Sequence, residues 1–162
     1  ADAARNARAE PDAHHDHGLH HERLNGGENP MTDFGHDLST PDAEDIDPLG
    51  RTVSGYEALA QALARRLKTR RGSLKSDPGY GFDLRLVLAD ALTSADISAI
   101  EARMLEQLRA DERVDDARTE VTFNVRTERL RVDAVVVAAD GPFRLVLDVS
   151  AVTAKILAVE PL

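Results

Sequence analysis

VTFNVRTERLRVDAVVVAADGPFRLVLDV, residues 121–149, is the stretch that decides the fold. Val121, Phe123 and Val125 alternate with Thr122 and Asn124. Leu130, Val132, Ala134 and Val136 alternate with Arg129, Arg131, Asp133 and Val135. After a turn at Asp140-Gly141, Phe143, Leu145, Leu147 and Val149 repeat the pattern. A period of two puts one apolar row on one face of a half-buried strand, so three such runs joined by short turns predict an antiparallel meander. Residues 150–159 carry two periods at once. Val149, Val152, Ile156 and Val159 fit a helix, whereas Val152, Ala154, Ile156 and Ala158 fit a strand. Strand is the favoured reading, which makes the meander one of three to four strands.

Upstream the period lengthens to that of a helix. Ser54-Gly55-Tyr56-Glu57 has capping-box spacing, and Tyr56, Leu59, Ala60, Leu63 and Leu67 then fall on one helical face. Gly72 is the expected stop, with Lys68, Arg70 and Arg71 near the carbonyl end, where cations are favoured. Leu84, Val87 and Leu88 predict a short second helix. Thr93-Ser94-Ala95-Asp96 predicts the cap of a third, burying Ile97, Ile100, Met104, Leu105 and Leu108. Helices followed by strands predict an α+β fold of three N-terminal helices and then the meander.

Composition divides the chain. Twelve of its 29 acidic and three of its 20 basic residues lie in residues 1–50, which leaves seventeen of each in residues 51–162. The net charge of −9 therefore belongs to the first third, and the rest is neutral. Residues 1–30 show no strand alternation and no sustained helical face; they are expected to be a disordered, His-rich tail. Met31 reads as a protein start, so that tail is expected to be an upstream extension. Residues 31–50, acidic and broken by Pro41 and Pro48, read as an extended arm, and residues 51–162 as a single domain. With 162 residues, 42% of them hydrophobic but no Trp, the core must be built mainly from Leu, Val, Ile and Ala. The absence of Cys excludes disulfides and thiolate metal sites, and fits synthesis in a reducing cytoplasm. The apolar run Ala134–Ala139 is far short of the about 20 residues of a membrane span.

Candidate chemistry is sparse. His14, His15, His17, His20 and His21 could bind a transition metal, but nothing rigid holds those rings, so no metal site is expected there. No Gly-x-Ser-x-Gly elbow is present, and His36 is the only histidine after the tail, which argues against Ser–His chemistry. No pair of acids sits in a recognisable motif for hydrolysis. The expectation is no catalytic residue, no cofactor and no enzyme. One feature stands apart: LKTRRGSLKSDPGYGFDL, residues 67–84, crowds Lys68, Arg70, Arg71 and Lys75 before Pro78-Gly79-Tyr80-Gly81. A phosphate cradle prefers a Gly-rich loop before a helix, not after one. A nucleic-acid patch prefers a wider basic face with interleaved aromatics. A protein-docking loop and plain solvated charge remain open as well.

The order of these features resembles a known family. Leu67-x-Thr69-x-Arg71-Gly72-Ser73, then Asp77-Pro78-x-Tyr80-Gly81, with strands running to the C-terminus, is similar to the small baseplate wedge subunits, or sheath initiators, of contractile phage tails. Their counterparts serve tailocins, extracellular contractile injection systems and type VI secretion. Asp33-Phe34-Gly35-His36-Asp37-Leu38-Ser39 also resembles the family's usual opening, and the order holds from about Asp33 to Val159.

The resemblance implies a structural role in a baseplate. The chain would dock on larger wedge proteins, start sheath polymerisation, and neighbour hub or tube proteins in six copies per baseplate. It implies no membrane and no nucleic-acid partner, with synthesis in the bacterial cytoplasm before assembly into the tail. The family's Glu-Pro-Arg motif corresponds to Asp111-Glu112-Arg113, where only the arginine matches outright. Expected interface residues are Arg70, Arg71, Gly72, Tyr80 and Gly81 in a docking loop, Asp111 and Arg113 at the wedge contact, and Phe143, Leu145, Leu147, Val152, Ala154 and Ile156 along a strand edge that accepts a sheath arm. The rival readings are a small nucleic-acid-binding module using the 65–75 cluster and, less favoured, a peptidoglycan hydrolase.

Overall fold

Alternation in residues 114–161 produces four strands, each joined to the next by a tight turn. They are β3 (Val114–Asn124), β4 (Arg129–Ala138), β5 (Gly141–Val149) and β6 (Ala154–Pro161), in the order β3-β4-β5-β6 and antiparallel throughout. The structure, a computed structural model, describes residues 35–41, 45–89 and 92–162. The expected tail at 1–30 with its histidines, Met31 and the arm residues 31–34 and 42–44 lie outside the described residues.

One face of the sheet is apolar because the alternation is kept in register. Leu130, Val132, Ala134 and Val136 of β4 stand beside Val149, Leu147, Leu145 and Phe143 of β5, and all eight are buried. Two helices cover this face: α1 (Gly55–Arg66), packed over β5 and β6, and α2 (Ser94–Arg109), packed over β3. Leu59, Leu63 and Leu67 come from the first side, Ile100, Met104 and Leu108 from the second. The other face carries Arg118, Glu120, Arg131, Asp133, Arg144 and Asp148, with Asp133 paired to Arg144 and Asp148 to Arg129. Two layers around one core result.

The expected α+β fold with three N-terminal helices is overturned. The described residues hold two α-helices and six strands in two antiparallel sheets, so the molecule is mostly β with some helix. The second expected helix is a single 3₁₀ turn, Leu86–Ala89. Its apolar spacing is real, with Leu84 fully buried and Val87 and Leu88 half-buried. However, Leu84 N donates back to Leu67 O and the Asp83 carboxylate receives Arg85 N, which leaves too few free residues to meet the cost of nucleating an α-helix.

Nor does a helix come first. β1 (His36–Leu38) pairs with β2 (Thr52–Ser54), His36 opposite Ser54, ahead of α1. These strands are too short and polar to show a period. They are held by α1's polar face, where Gln61 Oε1 accepts from Thr40 N at 2.7 Å and Arg65 donates to Thr40 Oγ1 and Asp37 Oδ2.

Local details differ too. Ser54 precedes α1 but its side chain makes no capping bond, because Ser54 is still in the β2 ladder and Gly55, at φ +59°, turns sharply from strand into helix. The expected box at Thr93 is formed with Asp96 in both directions. α1 ends at Arg66, well before Gly72. β3 ends at Asn124, so Val125 lies in the turn, 76% exposed, rather than in the core row.

Candidate docking surfaces

The chain between α1 and the 3₁₀ turn is shaped by a few polar anchors. Phe82 N donates to Arg66 O and Leu84 N to Leu67 O, tying both sides of the loop to the end of α1. Gln107 of α2 clamps its far wall: its Oε1 accepts from Gly81 N at 2.8 Å and its Nε2 donates to Gly79 O at 3.3 Å. Gly81 is buried at φ +99°, and any Cβ there would collide with the Thr69 carbonyl. Asp77 Oδ1 accepts from Gly79 N, closing the turn that holds Pro78. Tyr80 is half-buried with the Arg66 guanidinium 4.3 Å over its ring, and Arg103 stands over Phe82. Both aromatic faces that a base could stack on are thus engaged by arginines.

Residues 71–79 between these anchors are exposed. Arg71 faces Glu106 at 3.9 Å, with both side chains about three-fifths exposed, a geometry of little energetic worth. Among the described residues, Arg70 and Lys75 have no acidic partner. Gly72 turns at φ +79° with open space around it. Beside the loop lies a cleft of about 170 Å³ lined by Arg71, Gly81, Phe82, Arg103, Glu106 and Gln107. That is smaller than the several hundred Å³ of a typical small-molecule site and is the size for a partner's side chain.

The turn after α2 is held by its own backbone and by one ion pair. Asp111 N donates to Leu108 O and Val114 N to Asp111 O. The Asp111 carboxylate accepts both Arg113 Nε and Nη2 at 2.8 Å, a bidentate fork. Burial pushes the Asp111 carboxyl up, but the Arg113 guanidinium, the Arg113 amide and the charges of Arg113 and Arg66 outweigh it and hold it below the ordinary range. Arg66 therefore links the two elements, with its guanidinium over Tyr80 and its charge acting on Asp111.

The strand-edge residues lie elsewhere and divide into two groups. Phe143, Leu145 and Leu147 are buried on β5, which pairs on both sides, so their side chains build core rather than surface. β6 is the edge. Val152 is exposed in the turn before it, Ala154 is buried and Ile156 is half-buried. Ser150 N donates to Thr153 O, and Leu162 N to Pro142 O. With the observed register and a bulge at Leu157 of β6, opposite Val146 and Leu147 of β5, alternation then points the amides of Ala154, Ile156 and Val159 away from β5. Pro161 sits on the same outward set and has no amide. Among the described residues, no side chain hydrogen-bonds to the β6 backbone.

Gln107, Arg66 and the β1–β2 ribbon were not expected from sequence. Gln107 left a signal, being the polar residue on the buried stripe of Ile100, Met104 and Leu108. Among the described residues, no group of three His, Asp or Glu is placed to hold a metal ion, and no helix is long and apolar enough to cross a membrane.

No curated protein matches the chain. A family model for the contractile injection system sheath initiator matches residues 33–141, a span that takes in the β1–β2 ribbon and ends at the first residue of β5. That match covers well over half of the chain, which therefore belongs to the sheath initiator family of contractile injection systems, structural baseplate components that associate with the sheath.

Proposed function

We propose that this chain starts sheath assembly by accepting an extended sheath arm as a fifth strand beside β6, while the 70–81 loop and the 111–113 turn dock on larger wedge proteins. The observation that carries the reading is the β6 edge, with three outward amides to which no side chain among the described residues hydrogen-bonds. An exposed edge of this kind is normally a liability in a free protein. In an assembly initiator it is a template: main-chain bonds supply affinity and alternating side-chain positions supply register.

The arm's chemistry follows from its neighbours. Ile156 and Val159 are half-buried and pack against the core from the rim, so apolar residues at every second arm position complete that layer. Lys155 and Glu160 are exposed on β6, which favours an acid and a base at the matching outer positions. Arg70 and Lys75, without partners of their own, fit a carboxylate-bearing wedge surface, and arginine can pair with it bidentately. Six copies, one per wedge, with hub or tube proteins nearby, follow from the six-fold plan implied for such baseplates.

The test is co-expression with the neighbouring sheath and wedge genes. Ala154→Pro removes one outward amide and none of the β5–β6 ladder. It is expected to keep the domain folded by circular dichroism while sheath assembly is lost, and normal-length sheaths on this variant would overturn strand addition. In the same preparation, charge reversal at Arg70 and Arg71 should abolish co-purification with wedge proteins. Unchanged recovery would return that loop to solvated charge.

A further inference from the structure

A four-stranded meander has two edges, and the second, β3, is treated differently from β6. Val121 N donates to Glu101 Oε1 at 2.8 Å. Four residues earlier, Ala117 O accepts from Arg109 Nη2 at 3.1 Å, and the same guanidinium is fixed by Asp116 Oδ1 at 2.7 Å. Val121 has one amide proton, and giving it to Glu101 means that it points away from β4. No register shift separates Ala117 from Val121, so Ala117, two positions of alternation away, points the same way. Both contacts therefore fall on backbone groups that a strand adding to β3 would need.

The spacing matches. Glu101 and Arg109 are eight residues apart on α2, about 12 Å at the helical rise. Ala117 and Val121 are four residues apart, about 13 Å along a strand. The helix runs antiparallel to β3 and sets one acid on an amide and one base on a carbonyl, each charge matched to the group it meets. Between them, Thr119 Oγ1 is buried and has no hydrogen-bond partner among the described residues.

We infer that Glu101 and Arg109 lock the β3 edge, making the molecule a one-ended strand acceptor, and that unlocking it lets a second copy of this chain add its β6 edge there. Such β3-to-β6 pairing is heterologous and does not close on itself, so it leads to open chains of protomers. The inference rests on the open β6 edge proposed above.

Glu101→Ala/Arg109→Ala in the full chain tests it, read by sedimentation velocity over a hundredfold range of concentration, with wild type and Glu101→Gln/Arg109→Lys as controls. Wild type and the conservative variant are expected to remain monomeric. The alanine variant should form oligomers that grow with concentration, and exchange of the Val121 amide should speed up by about tenfold or more. A folded alanine variant that stays monomeric, or a Val121 amide that remains protected, would overturn the lock. If the double variant does not fold, Glu101→Ala alone gives the same exchange readout.

Adding Ala154→Pro separates this inference from the β6 reading. Oligomers that disappear support both. Chains that persist and still grow with concentration overturn the β3-to-β6 pairing, whereas a species that stops at the dimer means that β3 pairs with itself, which keeps the lock but counts against the open β6 edge.

Discussion

At Gly81 the 67–84 loop passes so close to the chain just after α1 that only a hydrogen fits. The residue combines φ +99° with a blocked Cβ position against the Thr69 backbone, and its amide is held by Gln107. Gly81→Ala is expected to destabilise the protein by at least about 2 kcal/mol, since a strained backbone and a collision with main chain act together. Gly72→Ala meets open space and should cost about 1–2 kcal/mol from its φ alone. Thermal melts of the two variants check the order, and an equal loss would remove the close approach as a cause.

Asp111 gives a pH dependence with a definite sign. Its carboxyl is lowered in the folded state, so its contribution to stability is present above the unfolded carboxyl pKa of about 4 and is lost as pH falls through the folded value. Asp111→Asn should therefore melt below wild type at pH 7, with the gap narrowing through the acid limb between about pH 5 and pH 2. A gap that is constant with pH would show that the fork with Arg113 does not contribute through charge.

Among the elements, β6 shows why its reading from sequence was divided. Ala154 and Ile156 face the core two residues apart, as a strand requires, but Val159 faces it three residues further on. The bulge absorbs the difference by leaving Leu157 without a partner in the register, 54% exposed. Neither simple period fits because the strand uses both. Deleting Leu157 keeps Ile156 and Val159 inward and makes the strand regular. The expected result is a midpoint within a few degrees of wild type but increased self-association in sedimentation, since bulges protect edges. No change in association would mean that Pro161 and the charges of β6 protect the edge without the bulge.

The interior strands β4 and β5 were legible from alternation alone, as was the α2 cap at Thr93, because each is a local pattern with a local cause. The 3₁₀ turn was misread as a helix because Leu84 and Arg85, just before it, are bonded to Leu67 and Asp83 instead of joining a longer helix. The β1–β2 ribbon was not legible: Gln61 and Arg65 secure it from across the fold, and no period records that contact. The docking loop could be located by its residues, but its clamp at Gln107 depends on a helix that starts many residues later.

For the whole molecule, a single core serves both proposed docking surfaces. Leu63 of α1 and Leu67 at its C-terminal cap belong to the same cluster as Leu145 of β5 and Met104 of α2, so the loop end and the β6 edge cannot melt independently. Leu63→Ala is expected to cost about 2–5 kcal/mol. With no Trp and only two Tyr, Tyr56 and Tyr80, tyrosine fluorescence reports on α1 and the loop while far-ultraviolet dichroism reports mainly on the sheet. The two signals should fall in one transition in wild type and variant alike. Separate transitions would mean two folding units.

The pairing order β3-β4-β5-β6 also has a consequence for how the protein is made. Each strand meets only its neighbours in sequence, so the sheet can zip hairpin by hairpin as the chain leaves the ribosome, with little loop-closure entropy to meet at each step. α1 has the opposite schedule. It is synthesised early yet packs on β5 and β6, and until those strands emerge its apolar stripe has no cover. The apolar stripe of α1 is thus covered only when β6, the proposed acceptor strand, is in place, which would tie completion of the fold to readiness for assembly.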